Sequence, residues 1–178
     1  MQSIDEFDVV VVGSGGGALL SAIRAHDLGL KVLVIEKSDQ YGGTTATSGG
    51  ALWIPLNGQA NDDPASAQAY LEAAAGDTTT PGKLRAYLES AADMIRYLNE
   101  KTSLRYRVSE GYPDYYQELP GAVASGRAMA PDPFDASLLR EEVHRLRPTH
   151  PGSTLMRIGM TIPESNAMAT KAWTGGHR

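Results

Sequence analysis

The chain contains no cysteine, which excludes disulfides, thiolate metal sites and catalysis by a thiol. It also lacks any apolar run approaching the ~18 residues that a membrane span requires. Positive charge is scarce, because Lys and Arg together number 16 against 21 for Asp and Glu, which leaves a net charge of -5. Since a nucleic-acid ligand needs a surplus of positive charge to neutralise its phosphates, we expect no nucleic-acid partner.

The N-terminus, MQSIDEFD, is acidic and has neither the basic nor the apolar region of a signal peptide. Together with the absence of cysteine, this predicts a cytoplasmic protein without a membrane span. The length of 178 residues, with 42% apolar and 21% charged residues, suits one soluble globular domain or part of one.

The first 36 residues have the pattern of a strand, a glycine turn, a helix and a second strand. Residues 7–12 read FDVVVV and residues 31–36 read KVLVIE, which are continuous apolar runs typical of parallel strands covered on both faces. Between them, residues 18–28 place leucines and an isoleucine at helical spacing, and Gly29 supplies a stop. The order predicts a βαβ unit.

A glycine motif of the form G-x-G-x-x-G/A joins the first strand to the helix. Its members are Gly13, Ser14, Gly15, Gly16, Gly17 and Ala18. The first glycine permits a sharp turn, the second lets a pyrophosphate approach the backbone, and the small third residue allows close contact between helix and strand. Glu36 ends the next strand, where a carboxylate can accept hydrogen bonds from ribose hydroxyls. The combination predicts a bound dinucleotide, NAD or FAD, because both present an ADP half.

Further along the chain, local signals predict mainly helices. Tyr41 to Gly50, YGGTTATSGG, is interpreted as an ordered loop without regular structure that contacts a ligand. Asp63 and Thr80 are each followed by proline, as N-caps of helices at 64–75 and 81–101. We also predict a strand at 104–108 and a short helix at 137–146, and no clear periodicity in 148–178.

The segments FDVVVVGSGGGALLSAIRA and EKSDQYGGTTATSGGALWIP closely resemble the N-terminus of FAD-dependent dehydrogenases of the fumarate reductase and succinate dehydrogenase flavoprotein superfamily, and within it the 3-ketosteroid delta-1-dehydrogenases. The resemblance implies a Rossmann-like α/β FAD-binding fold. It also implies that the second glycine segment lies along the pyrophosphate, ribityl chain and isoalloxazine of FAD. Besides the motif and Glu36, the residues that it places beside FAD are Lys37, Gly42, Gly43, Thr44, Thr45, Ser48, Gly49 and Gly50.

A second, narrower resemblance lies in PDYY at 113–116 and GR at 126–127, which are similar to a segment of the same dehydrogenases. It implies that Tyr115 lines the active site and assists a tyrosine base. In this family that base takes the C2 proton while a hydride leaves C1 for the flavin, and another tyrosine polarises the C3 carbonyl. The alternative is that Tyr112, Tyr115 and Tyr116 only pack an aromatic loop.

The resemblance further implies that residues 1–178 are the N-terminal portion of an FAD-binding domain, without the substrate cap domain and the C-terminal FAD-binding segment. After residue 50 we see no further buried-type strand with a crossover helix, so we expect an incomplete fold that is inactive alone. The four histidines have no paired ligand spacing, and no metal is expected.

The function implied for the complete protein is introduction of a C1–C2 double bond into a 3-ketosteroid or a similar cyclic ketone, with electrons passed to an acceptor. Two alternatives stay open at this point. One is another fumarate-reductase-like FAD dehydrogenase, and the other is a nucleotide-binding module without chemistry of its own.

Overall fold

The computed structural model describes residues 6–151, 154–155 and 158–159. These residues fall into two compact units. We call them the N-terminal unit, which contains the described residues up to Gly49 and from Asp135 onward, and the central unit, Gly50–Phe134.

The N-terminal unit is built on the predicted βαβ motif. Strand β1 (Val9–Val12), helix α1 (Gly16–Asp27) and strand β2 (Val32–Ile35) follow one another, and the strands pair in parallel with Val9 opposite Val32. Helix α1 contacts both strands. The predicted Rossmann-like α/β fold is confirmed.

The described residues do not provide the cover on both faces that the apolar strands are suited to, as expected of an incomplete fold. Successive side chains of a strand point to opposite faces, and along β1 they alternate between half-buried and exposed. Val10 is 53% exposed and Val12 79% exposed. Continuous apolar sequence is typical of a sheet with helices on both sides, whereas among the described residues α1 provides the cover on one side.

The sequence predicted no regular structure for Tyr41 to Gly50, and this prediction is partly wrong. The segment contains a short helix, α2 (Gly43–Thr47), which follows Gly42 in the left-handed conformation with φ of 105°. The Ala46 N–H donates to the Gly42 carbonyl at 3.1 Å. Glycine and threonine are weak helix formers, so this single turn depends on tertiary contacts that local propensity does not report.

The central unit packs two helices with a small antiparallel sheet. Its elements are β3 (Leu52–Trp53), α3 (Pro64–Ala75), α4 (Pro81–Lys101), β4 (Tyr106–Val108) and β5 (Ala128–Pro131). The strand order is β3-β5-β4. Helices α3 and α4 contact each other. The buried apolar residues of this unit include Ile54, Ala67, Tyr70, Ala91, Ile95, Leu98 and Met129.

Helices α3 and α4 confirm the predicted bounds, and β4 confirms the predicted strand with a later start. The Asp63 carboxylate caps α3 by accepting from the Ser66 N–H at 2.8 Å. Thr80 is the N-cap residue of α4, as predicted, although its side chain makes no capping hydrogen bond. Strands β3 and β5 went unpredicted because they are short and have no alternating pattern.

The short helix predicted at 137–146 is instead a run of 3-10 turns over Ala136–Arg145, kinked where Arg140 has φ of 50°. Strands β6 (Thr154–Leu155) and β7 (Ile158–Gly159) pair with each other antiparallel. The rest of the segment from residue 152 onward lies outside the described residues. In the part of the chain that the structure describes, no helix is both long and apolar enough to cross a membrane.

At one position of the central unit, a neighbouring backbone leaves no room for a side chain, so only glycine fits. Gly121 has φ of +74°, and a Cβ there would lie 2.1 Å from the Ser66 carbonyl oxygen. Gly111 has φ of +69° but nothing within 4 Å of a Cβ. We expect Gly121→Ala to lower the free energy of unfolding by more than ~3 kcal/mol and Gly111→Ala by ~1 kcal/mol, since the second substitution strains only its own backbone. Urea unfolding of both variants checks this, and equal losses would contradict it.

Candidate functional site

The glycine motif forms a turn of bare backbone between β1 and α1. Gly13 has φ of +96°, and its N–H donates to the Ile35 carbonyl at 2.7 Å, which joins the turn to the end of β2. A Cβ at Gly13 or Gly17 would meet nothing within 4 Å. Helix α1 has no side-chain cap at Gly15 and no acid in its first turn. The positive end of its dipole is therefore not neutralised by a carboxylate of the first turn, which suits a bound anion.

Ser14 joins three segments of this unit. It is 3% exposed. Its N–H and hydroxyl both donate to Oε2 of Glu36, at 3.0 and 2.5 Å, and its hydroxyl oxygen accepts from the Gly42 N–H at 3.0 Å. Oε1 of Glu36 accepts from the Ser38 N–H at 3.1 Å. The glycine turn, the acid after β2 and the second glycine segment are thus held at one point.

These donors also set the charge of Glu36. The Ser14 hydroxyl, followed by the Ser38 backbone N–H, lowers the pKa of Glu36 below its ordinary value of 4.5. The side chain is half-buried and therefore remains partly accessible. An ionised carboxylate in this position is a hydrogen-bond acceptor only, which is the property that a ribose diol requires.

The second glycine segment lies directly against the glycine turn. A Cβ at Gly43 would lie 3.1 Å from the Gly15 Cα, so two backbones approach here without side chains between them. The Gly16 N–H donates to Oγ1 of Thr45 at 2.9 Å. A hydroxyl of α2 therefore takes one of the free N–H groups at the start of α1.

The structure brings most of the predicted cofactor residues together in the N-terminal unit. Besides the motif and Glu36, these are Lys37, Gly42, Gly43, Thr44, Thr45, Ser48 and Gly49. Lys37 and Thr44 are exposed, and the Ser48 hydroxyl donates to the Thr45 carbonyl at 2.8 Å. Gly50 belongs to the central unit, where its carbonyl accepts from the Tyr106 hydroxyl at 3.2 Å.

Tyr115 also belongs to the central unit and is 81% exposed. Its ring centroid lies 6.5 Å from that of Tyr112. A hydrogen bond with Tyr115, followed by the charge of the same group, raises the pKa of the Tyr112 phenol. Tyr115 thus lies exposed beside a second phenol.

Sequence reasoning missed the buried ion pairs that involve Asp114, the residue before Tyr115. Arg127 is buried and forms ion pairs with Asp62 and Asp114. The partners lie 65 and 13 residues away in the chain, so no local pattern links them. The resemblance at 126–127 was the one signal that singled out Arg127. Within the described ranges, no group of three or more His, Asp or Glu could hold a metal ion.

A parallel βαβ unit with a bare glycine turn before its helix and an acid after β2 is the arrangement of a dinucleotide-binding α/β protein. Residues 8–170 match the FAD binding domain family, and the chain belongs to that family. FAD is its cofactor. The residues present fit FAD, since the bare turn, the helix N-terminus and ionised Glu36 suit a pyrophosphate and a ribose.

The chain is similar to dehydrogenases of cyclic ketones. It is 38% identical over 173 residues to the 3-oxosteroid 1-dehydrogenase of Comamonas testosteroni, covering 93% of this chain and 30% of that protein. It is 37% identical over 147 residues to the 4-oxocyclohexanecarboxylate 2-dehydrogenase of Sinomonas cyclohexanicum, covering 79% and 26%.

Among solved structures, the chain is similar to the 3-ketosteroid delta1-dehydrogenase from Sterolibacterium denitrificans in complex with 1,4-androstadiene-3,17-dione. The identity is 52%, the TM-score is 0.86, and the match covers 93% of this chain and 30% of that one. The chain therefore spans less than a third of the length of these relatives. The resemblance to 3-ketosteroid delta-1-dehydrogenases is confirmed.

A side chain at Gly15 is expected to affect cofactor binding but not folding. Gly15 has φ of -68° and ψ of 169°, which any residue adopts, and a Cβ would lie 4.0 Å from its nearest neighbour, Oγ1 of Thr45. We expect Gly15→Val to abolish FAD binding, because the isopropyl group fills the space where a pyrophosphate meets the backbone, and to change apoprotein stability by less than ~1 kcal/mol. FAD titration and thermal unfolding of the apoprotein check both parts. Retained FAD affinity would contradict the placement.

The lowered pKa of Glu36 gives stability a defined pH dependence. Ionised Glu36 stabilises the folded state above its ordinary pKa of 4.5, and this contribution is lost as the pH falls through the lowered folded-state pKa. Because Ser14→Ala removes the largest cause of the shift, we expect the Tm of the variant to depend less on pH below 4.5 than that of the wild type.

Thermal unfolding between about pH 3 and pH 7 measures this difference. Ser21→Ala is the matched control, because the Ser21 hydroxyl donates to the Gly17 carbonyl within α1. Identical pH profiles for the wild type and Ser14→Ala would show that the hydroxyl does not set the ionisation of Glu36.

Proposed function

We propose that this chain is the N-terminal portion of an FAD-dependent dehydrogenase that introduces a C1–C2 double bond into 3-ketosteroids. The observation that carries the proposal is the 52% identity and TM-score of 0.86 to a 3-ketosteroid delta1-dehydrogenase over 93% of this chain. A substrate cap domain and a C-terminal FAD-binding segment then belong to the complete protein outside residues 1–178.

In this proposal the N-terminal unit holds the cofactor. The glycine motif binds the FAD pyrophosphate at the N-terminus of α1, and Glu36 accepts from the adenosine ribose. FAD supplies the hydride acceptor when bound. The other proposed contacts in this unit are Lys37, Gly42, Gly43, Thr44, Thr45, Ser48 and Gly49, and Gly50, which follows Gly49 in the chain, is also proposed. The contact between Gly43 and Gly15 supports this assignment, because side chains there would fill the groove.

The proposed role of Tyr115 is to assist a tyrosine base that lies outside this chain. A free phenol has a pKa near ~10, so a phenol that removes a proton at neutral pH needs a hydrogen-bond donor to stabilise its phenolate. The Tyr115 hydroxyl is such a donor. The exposure of Tyr115 supports the role, because its hydroxyl is accessible to a second group.

The proposed substrate is a six-membered ring ketone of the steroid class. The steroid is favoured over a smaller ring because the match to the 3-oxosteroid 1-dehydrogenase of Comamonas testosteroni covers 93% of this chain, against 79% for the 4-oxocyclohexanecarboxylate dehydrogenase. A cyclohexanone carboxylate is the second candidate, since the name of that relative specifies one. The electron acceptor and the cytoplasmic location stay predictions.

Tyr115→Phe tests the proposed chemistry in the complete enzyme. We expect turnover of a 3-ketosteroid to fall by about ten- to a thousandfold, which corresponds to ~1.4 to 4 kcal/mol of barrier, because one hydrogen bond to the developing phenolate is lost. FAD content and KM should change much less, since the interaction is needed mainly in the transition state.

Tyr116→Phe is the matched control, because it removes the neighbouring hydroxyl from the same segment. Stopped-flow measurement of flavin reduction by the steroid reports the chemical step directly. Unchanged flavin reduction in Tyr115→Phe would remove Tyr115 from the catalytic residues. If the flavin of the wild-type enzyme is reduced only by a cyclohexanone carboxylate, the second substrate candidate is favoured.

A further inference from the structure

The central unit contains a buried guanidinium that donates hydrogen bonds through all three of its nitrogens. Arg127 is 1% exposed. Its Nε and Nη2 donate to the Asp62 carboxylate at 3.0 and 2.8 Å, and its Nη1 donates to Oδ2 of Asp114 at 2.9 Å. The rings of Trp53 and Tyr70 each lie with their centroid 5.8 Å from the guanidinium carbon.

Asp114 is held from three directions. It is 4% exposed. Besides Arg127, its carboxylate accepts from Nε1 of Trp53 at 2.7 Å and from the Val123 N–H at 3.0 Å. A buried ion network contributes little net stability, because desolvation of the charges offsets their attraction. Its physical effect is to fix geometry, since removal of any partner leaves a buried group unpaired.

The fixed geometry is that of the backbone on both sides of Tyr115. The Asp114 N–H donates to the Val123 carbonyl at 3.0 Å, and the Tyr116 N–H donates to the Tyr70 hydroxyl at 3.2 Å. Nε2 of Gln117 donates to the carbonyls of Asp114 and Val123, at 3.0 and 2.9 Å. An exposed phenol therefore projects from a segment whose neighbouring residues are anchored in the core.

We propose that Asp114 and Arg127 are positioning residues for Tyr115. They hold the backbone of the Tyr115 segment in one place, so that the phenol reaches the reacting groups. The inference rests on the proposed function. A misplacement of ~1 Å at a reacting group can cost about a hundredfold in rate, so an exposed catalytic side chain needs a rigid base.

Asp114→Asn in the complete enzyme is the direct test. The amide nitrogen is a donor and would face either the Trp53 N–H or the donors of Val123 and Arg127, so the anchor is broken without a change in size. We expect kcat to fall by about tenfold and KM to change by less than about threefold. In the Tyr115→Phe background the same substitution should lower kcat no further, because both changes act through one hydroxyl.

Asp62→Asn is the matched control, because it breaks the other half of the Arg127 network and leaves all three donors to Asp114 in place. We expect it to lower the Tm while kcat stays within about twofold of the wild type. A purely structural network predicts that Asp62→Asn and Asp114→Asn lower kcat alike, with or without the Tyr115 hydroxyl, and that result would overturn the proposal.

Gln117→Ala provides a second variant in case Asp114→Asn does not fold, because Gln117 is exposed. We expect a fall in kcat of about threefold that disappears in the Tyr115→Phe background. An equal fall in both backgrounds, or none in either, counts against the proposal.

Amide hydrogen exchange over residues 114–117 of the complete protein tests the anchor without any assay of activity. Faster exchange in Asp114→Asn than in Asp62→Asn supports it, and wild-type exchange in Asp114→Asn overturns it. A wild-type enzyme that oxidises no cyclic ketone would instead overturn the proposed function, while this measurement still decides whether the segment is anchored.

Discussion

The hydroxyl of Ser14 is the constraint on which the cofactor site depends. It donates to Glu36 and accepts from Gly42, and so joins segments that lie 22 and 28 residues away along the chain. A glycine turn offers a ligand only backbone, and backbone without side chains is conformationally free. The buried hydroxyl removes that freedom, because each of its partners would otherwise lose a hydrogen bond inside the protein.

In the central unit, buried ionic groups fix the geometry of the backbone in the same way. Arg127 between Asp62 and Asp114 is a fully satisfied polar network, which specifies one arrangement more sharply than apolar contacts do. In the N-terminal unit the buried Ser14 hydroxyl holds the accessible side chain of Glu36. In the central unit the buried pair of Arg127 and Asp114 holds the segment that carries the accessible side chain of Tyr115. Accessible groups can bind and react, but alone they would sample many positions.

The parts predicted correctly from sequence are those with local causes. Helices α3 and α4 start at prolines that follow an N-cap residue, and α4 also has apolar residues at a 3.6-residue period, so both were predicted with the correct bounds. Helix α2 and strands β3 and β5 were missed, because two to five residues carry no period. Apolar continuity along β1 reports the surroundings of a strand in a full sheet, and within the described residues Val10 and Val12 are exposed, as expected of an incomplete one.

The βαβ order, the glycine turn, the acid after β2 and the family could all be predicted from the sequence, because each depends on residues close together in the chain. The hydrogen bond between Thr45 and the Gly16 N–H and the ion pairs of Arg127 with Asp62 and Asp114 became apparent only in the folded structure. These contacts link residues 13 to 65 positions apart. Among several hydroxyls and carboxylates of equal chemistry, burial and distance select the partner, and neither is set until the chain has folded.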